Sequence, residues 1–356
     1  MSKSKELQRL ISELENDNKE KHKILPTDIK SLDFILGGGI ELGSKVQFVA
    51  ESSCGKSTIA LQISKNLCKK NYNVLYVDTE NSITKVMLNA VGVAEYYNNE
   101  SDSSGEFVLL KESDFNTVSD KLDICLKSKY FHLIIIDSLA SLVSNCYTDI
   151  YSVKDVKSLT NNNTNFESRP LNLFINKYSN LANKYNVAIL YINQFRNKVD
   201  PKNGTILKEF GNKIVKYNSD IIVRIKKDKD YIYQDDNDIY ITDAKVVGGK
   251  PQTHAKLILS LEKSNKMLSE TSTNTYLKYG YGIDEILDDT SDKVRNGTIK
   301  KNGKYYYLQD SNEKYDGFIS LVNNITLTNK KTKLSNEDTV SLEDGLLNID
   351  FITPNS

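Results

Sequence analysis

The sequence has no tryptophan, no net charge and no long apolar run, and each absence narrows what it can be. Basic and acidic residues number 47 each, so a protein that coats polyanions over its whole surface is excluded; any nucleic-acid surface must be local. No span is apolar enough to cross a bilayer and no signal-peptide pattern is present. That predicts a soluble, cytoplasmic protein with no membrane partner. The four cysteines, Cys54, Cys68, Cys125 and Cys146, lack metal-ligand spacing. Asn, Lys, Ile and Tyr are abundant where Trp is missing, as in an AT-rich coding sequence, so Asn161 to Asn163 is read as compositional drift before it is read as signal.

What is present centres on Lys45 to Thr58, KVQFVAESSCGKST. Val46 to Ala50 reads as a buried parallel strand, and Ile59 to Leu67 as an amphipathic helix. A strand, a tight loop, Gly55-Lys56-Ser57 and a helix make a phosphate-binding loop. A triphosphate needs backbone N–H groups at the positive end of a helix. The loop would supply them from Glu51, Ser52, Ser53, Cys54, Gly55 and Thr58; Lys56 reaches the β and γ phosphates and Ser57 holds Mg²⁺. One position departs from G-x-x-x-x-G-K-[ST]: the chain has Ala50 for Gly. If the backbone there needs a positive φ, Ala costs about 1 kcal/mol; if only close approach is needed, Ala is nearly free.

The rest of the chain predicts an α/β fold with a mostly parallel sheet flanked by helices and added antiparallel strands. A short helix after Thr27 or Asp28, either of which could cap it, ends at Gly37 to Gly39. Asn73 to Asp78 is a strand, and Glu80 follows at its C-terminal end, where open α/β sheets bind ligands. Glu80 is either a base that orients water beside a triphosphate or a carboxylate that complements a helix dipole. His132 to Leu139 is the strongest apolar strand, and it carries Asp137 at its end, in the Walker B position that holds Mg²⁺ through water. Val187 to Asn193 is another strand, followed by Gln194, which either senses a γ-phosphate or is an exposed polar end.

Arg196 to Lys216 holds six basic residues against two acidic ones and includes Pro201, Gly204 and Gly211. It reads as a mobile basic loop suited to a phosphate backbone, or equally as a solvated surface loop. Strands follow at Ile221 to Ile225, Tyr231 to Tyr233, Ile239 to Thr242 and Ala255 to Leu261, and Lys300 to Leu308 is an Asn-Gly hairpin. Three regions are expected: a helical arm over 1–25, packed on its own domain or docking on another subunit; a core over 26–269; and a small C-terminal region over 270–356.

These segments together resemble the RecA family of recombinases over roughly Pro26 to Leu308. SLDFILGGGIELG, AESSCGKST, VLYVDTEN, LIIIDSLASL and YINQFRNK carry the resemblance. It implies a RecA-type P-loop ATPase core with ATP and Mg²⁺ as cofactors. Glu80 would activate water, Lys56 would neutralise phosphate charge, Ser57 and Asp137 would serve the metal with Ser138 following, and Gln194 would couple the γ-phosphate to the second DNA-binding loop. That loop would include Arg196, Lys198, Lys202, Lys208, Phe210, Gly211 and Asn212; the first would lie in Asn145 to Arg169. LEKSNKM resembles the paired lysines that reach a neighbour's nucleotide, Lys263 and Lys266, with an interval one residue longer than in the family, so one of them fills the role. The YGYGIDEILD segment and the GTIKKNGKYYYL hairpin separate the chain from other ATPases of this core.

The resemblance implies a DNA-dependent ATPase that forms helical filaments on single-stranded DNA and pairs it with homologous duplex, with single-strand-binding and mediator proteins as further partners. A helicase or motor on the same core, or a non-catalytic mediator, are the alternatives. Ala50, the missing adenine-stacking Tyr after Glu80 and the Asn-rich first loop suggest a divergent, phage-encoded member of the UvsX type, which would act in a bacterial host.

Overall fold

The computed structural model describes residues 9, 12, 23–97, 103–142, 168–200, 204–209, 212–235, 237–242, 252–265, 271–308 and 313–330. The N-terminal arm apart from Arg9, Ser12 and Lys23 to Leu25, the first-loop segment up to residue 167, and Lys202, Phe210, Gly211 and Lys266 lie outside them.

Chain order runs β1 (Ile24–Leu25), α1 (Lys30–Leu36), β2 (Ile40–Glu41), β3 (Lys45–Ala50), α2 (Lys56–Lys69), β4 (Val74–Asp78), α3 (Lys85–Val91), β5 (Phe107–Lys111), α4 (Phe115–Ser128) and β6 (Leu133–Asp137). It continues with α5 (Ser168–Tyr185), β7 (Ala188–Asp200), β8 (Gly204–Glu209), α6 (Asn212–Asn218), β9 (Ile221–Gln234), β10 (Tyr240–Ile241), β11 (His254–Ser264), β12 (Ser272–Lys278) and β13 (Gly282–Ile283). Last come α7 (Glu285–Arg295), β14 (Ile299–Asn302), β15 (Tyr305–Leu308), β16 (Lys314–Asp316) and a helix over 318–330.

Contacts divide the chain into two compact units. The first is Met1–Lys229 with Ala255–Asp288, the second Asp230–His254 with Asp289–Ser356. The first is built on a sheet in the order β13-β12-β11-β9-β3-β7-β6-β4-β5. From β9 to β5 the neighbours are parallel. Parallel strands covered on both faces read as continuous apolar runs, and β6 is LIIID with every residue buried. Alternation then sorts its side chains. Leu133 and Ile135 join the core under α2, while Ile134 and Ile136 join the one under α4 and α5. The helices answer with matching stripes: Ile59, Ile63 and Leu67 on α2, and Val118, Leu122 and Leu126 on α4. Each such side chain contributes about 1.5–3 kcal/mol on burial.

Three expectations are corrected. Thr27 and Asp28 do not cap α1. Instead the Asp33 carboxylate accepts from Thr27 N (2.8 Å), Thr27 Oγ1 (2.7 Å) and Asp28 N (3.1 Å), so the helix caps the turn before it. The described part of the basic stretch after Gln194, expected as a loop, is strand and helix. β7 continues to Asp200 and β8 returns antiparallel to it, Arg196 opposite Lys208 and Asp200 opposite Gly204, and α6 starts at Asn212. The two strands expected between Ile221 and Tyr233 are one strand of 14 residues.

In the second unit β10 pairs with Tyr233 and Gln234, and Asn323 Oδ1 and Nδ2 bond the Tyr240 backbone at 2.8 and 3.0 Å. The expected Asn-Gly hairpin forms as β14 and β15, and β16 extends it, over a core of Ile299, Tyr306, Tyr315 and Leu321.

The approach to β3 depends on Gly39. Its φ is +137°, and a Cβ there would stand 2.3 Å from the Leu25 carbonyl oxygen. Gly39→Ala is therefore expected to destabilise the protein by about 2 kcal/mol or more, backbone strain of roughly 1–3 kcal/mol plus displacement of β1. Urea denaturation measures it, and an unchanged midpoint would contradict the close approach.

Candidate nucleotide site

The parallel register aligns the functional strand ends. Ala50 pairs with Gln194, Asp137 with Ile192, and Asp78 with Asp137, so β3, β4 and β6 finish along one edge of the sheet, level with the point where β7 runs past it at Gln194. Ala50 is fully buried and is not among the described residues with positive φ, so its backbone is ordinary strand and Ala fits where the motif has Gly. The positive φ values fall instead at Ser53 (60°) and Gly55 (82°). Gly55 caps α2 without a side chain, and a Cβ there would meet Leu277 Cδ2 at 2.4 Å. The first-turn N–H groups of α2 have no partner within the helix, as at any helix start, and Glu51, Ser52 and Ser53 are exposed before it.

Lys56 is 6% exposed, and its ammonium donates to the carbonyls of Glu51 (2.7 Å) and Ala50 (3.2 Å). Burial pulls its pKa below the usual lysine value, while Cys54, Asp137 and Glu80 pull the other way. Asp137 is 3% exposed; burial raises its pKa, hydrogen bonds from Ser57 and Tyr76 oppose that, and the charges of Glu80 and Asp78 add to it. Tyr76 donates its hydroxyl to Asp137 Oδ2 at 2.6 Å, and burial, then Asp137, hold that phenol protonated. Hard oxygen donors, a buried carboxylate beside a hydroxyl, suit Mg²⁺ together with phosphate oxygens. Among the described residues no cluster of three or more His, Cys, Asp and Glu could hold a metal ion.

Glu80 is exposed, and its Oε1 accepts from Ser138 Oγ (2.6 Å) and Gln194 Nε2 (3.1 Å). Two residues read separately in the sequence thus meet on one carboxylate oxygen. The turn after Glu80 is held by Asp78, whose carboxylate accepts from Ser82 N (3.1 Å) and Ile83 N (2.9 Å). Thr79 Oγ1 donates to the Ser138 carbonyl and accepts from its N–H, both at 2.9 Å, tying the ends of β4 and β6 together.

Arg169 starts α5 one residue in, Arg196 and Lys198 lie on β7, Lys208 on β8, and Asn212 opens α6. Lys263 is placed elsewhere: its ammonium donates to the carbonyls of Lys216 (2.9 Å), Tyr217 (3.0 Å) and Ser219 (2.6 Å), at the C-terminal end of α6. Sequence reasoning missed Tyr76, Asp78 and Thr79. Asp78 had a visible signal, since it ends a buried strand as Asp137 does. The Tyr76 hydroxyl, inside an apolar run, had none. It also missed Arg224, whose guanidinium stacks 4.8 Å from the Phe195 ring centroid and pairs with Glu262 at 2.9 Å, next to Gln194.

A family model, the RecA N-terminal domain, matches residues 5–258. The chain belongs to the RecA family. Its relatives include "Protein RecA" of Phytoplasma mali, 25% identical over 323 residues (90% of this chain and 87% of the relative), and "Protein RecA" of Fusobacterium nucleatum, 23% identical over 303 residues (85% and 72%). The "DNA repair and recombination protein RadB" of Methanosphaera stadtmanae is 29% identical over 211 residues (58% and 82%). The RecA-type core expected from the resemblance is thereby borne out, whereas the UvsX-type placement stays an expectation. No helix among the described residues is long and apolar enough to cross a membrane.

Thr79→Val keeps the shape and removes the hydroxyl, leaving the buried Ser138 N–H unpaired. The expected cost is about 1–3 kcal/mol, read by denaturation without nucleotide; a change within error would mean that this pair does not join the strand ends.

Proposed function

We propose that the protein is a recombinase of DNA recombination and repair: a DNA-dependent ATPase that assembles on single-stranded DNA and pairs it with homologous duplex. The observation that carries this reading is the meeting of Ser138 and Gln194 on Glu80, at the strand edge beside the phosphate loop. ATP would lie against the start of α2, with Ser57 and Asp137 holding Mg²⁺, whose role when bound is to offset charge on the phosphate oxygens. Lys56 would exchange the carbonyls of Ala50 and Glu51 for phosphate oxygens. Glu80 would orient the attacking water and take its proton. With Oε1 accepting from Ser138 and Gln194, the Glu80 carboxylate is held in one orientation.

Gln194 opens the path from nucleotide to DNA, because it sits on β7, which continues directly into the β7–β8 hairpin with Arg196 and Lys208 in register. When a γ-phosphate draws Gln194 off Glu80, the hairpin would shift with it. Arg169, Lys198, Lys202, Phe210, Gly211 and Asn212 would complete the DNA contacts, by backbone charge and stacking rather than base readout. Lys263 or Lys266 would reach the neighbouring subunit's nucleotide, and the arm over 1–25 would dock on that subunit. A helicase would instead unwind forked duplex, and a mediator would bind nucleotide without turnover.

Steady-state ATP hydrolysis with and without single-stranded DNA tests the reading. DNA should stimulate turnover, Lys56→Ala should abolish it, and Glu80→Gln should lower it about 10²–10⁴-fold while nucleotide binding persists. Hydrolysis indifferent to DNA would remove the coupling through Gln194, and full activity in Glu80→Gln would move the base elsewhere.

A further inference from the structure

Tyr76 is unlike its neighbours. It stands in the middle of β4, VLYVD, in register with Ile135 of β6, and it is fully buried with its ring edge-on to Phe107 at 6.2 Å. Phenylalanine would fill that space without a polar atom in the core. A buried hydroxyl needs a partner, and this one donates to Asp137 Oδ2 at 2.6 Å, with the Ser57 hydroxyl near enough to act on it. The Ser57 hydroxyl also acts on Asp137, favouring its carboxylate form. The two side chains read as serving the metal therefore have a common neighbour in Tyr76, which comes from a core strand and not from the phosphate loop.

The geometry points to Tyr76 as a positioning residue for the divalent cation that accompanies the nucleotide, acting by fixing the Asp137 carboxylate and steadying the Ser57 hydroxyl. The inference rests on the reading of Ser57 and Asp137 given above. Its physical basis is that groups holding the ligands of a metal set their orientation, and their loss costs roughly 10–100-fold in metal affinity or activity. Without the phenol, the Asp137 carboxylate loses a neutral donor in a pocket where water cannot replace it, and it is free to turn away from the cation's water shell. The ring alone still fills the core, so orientation and packing can be separated.

The test is a Mg²⁺ titration of fluorescent ADP binding to the full chain, wild type against Tyr76→Phe, with Mn²⁺ bound in the ADP complex counted by electron paramagnetic resonance and thermal unfolding followed in parallel. Tyr76→Phe should raise the half-saturating Mg²⁺ about 10–100-fold and weaken Mn²⁺ to match. Nucleotide affinity in EDTA should not change. Because Tyr76 acts through Asp137, adding Tyr76→Phe to Asp137→Asn should change the metal dependence no further.

A wild-type Mg²⁺ requirement in Tyr76→Phe overturns the proposal and leaves the reading of Asp137 intact. So does an additive double variant. An equal loss of affinity in EDTA overturns it too, by assigning the hydroxyl to pocket packing alone. Wild-type binding indifferent to Mg²⁺ sinks the reading of Asp137, and this inference with it.

Discussion

The alignment of three strand ends with Gln194 on β7 depends on strands that cannot slide. In a parallel sheet buried on both faces, a slip of one residue exchanges every side chain between faces. For β6 that would drive Ile134 and Ile136 out of the core under α4 and α5 and turn Asp137 away from Ser57 and Tyr76. For β7 it would move Gln194 off the row it shares with Ala50 and away from Glu80. The apolar residues that look merely structural, Val46, Phe48 and Val49, Leu133 to Ile136 and Ala188 to Ile192, are what set the position of each polar group at the edge.

On that edge two opposite charges are held partly out of water. Neither would be tolerated alone, because an isolated buried charge costs several kcal/mol even after relaxation. Lys56 rests on two carbonyls, and Asp137 accepts from the Tyr76 hydroxyl with that of Ser57 nearby. Those partners satisfy each group, yet the dipoles are weak enough for phosphate oxygens or a cation to outbid them. Glu80 is arranged differently: exposed, and restrained on one oxygen.

Much of this was legible in the chain itself, for physical reasons. Runs such as LIIID and VAILYIN have the composition of doubly covered strands, and Gly55-Lys56-Ser57 has a spacing that few other structures require. Asp137 closes an apolar strand and Gln194 closes the apolar part of β7, because polar side chains there can still reach solvent or ligand. The misses have physical causes as well. Pro201 and Gly204 signal a break but do not distinguish a loose loop from a hairpin, since both need a turn. The Asp33 carboxylate serves residues before it, so a pattern sought after Thr27 and Asp28 overlooks it. A tyrosine in VLYVD counts as one more apolar residue until the strand beside it shows what its hydroxyl meets.

Lys263 spans a gap that periodicity could not foresee. The ammonium gathers three carbonyls at the close of α6, a helix of seven residues. So short a coil has little cohesion of its own. Withdraw that one charge and three oxygens are left to find water, so the coil would fray backward from Asn218 toward Asn212, where the strand-and-turn segment carrying Arg196 and Lys208 hands over to it. The lysine thus moors the close of that coil to β11, the strand that carries it.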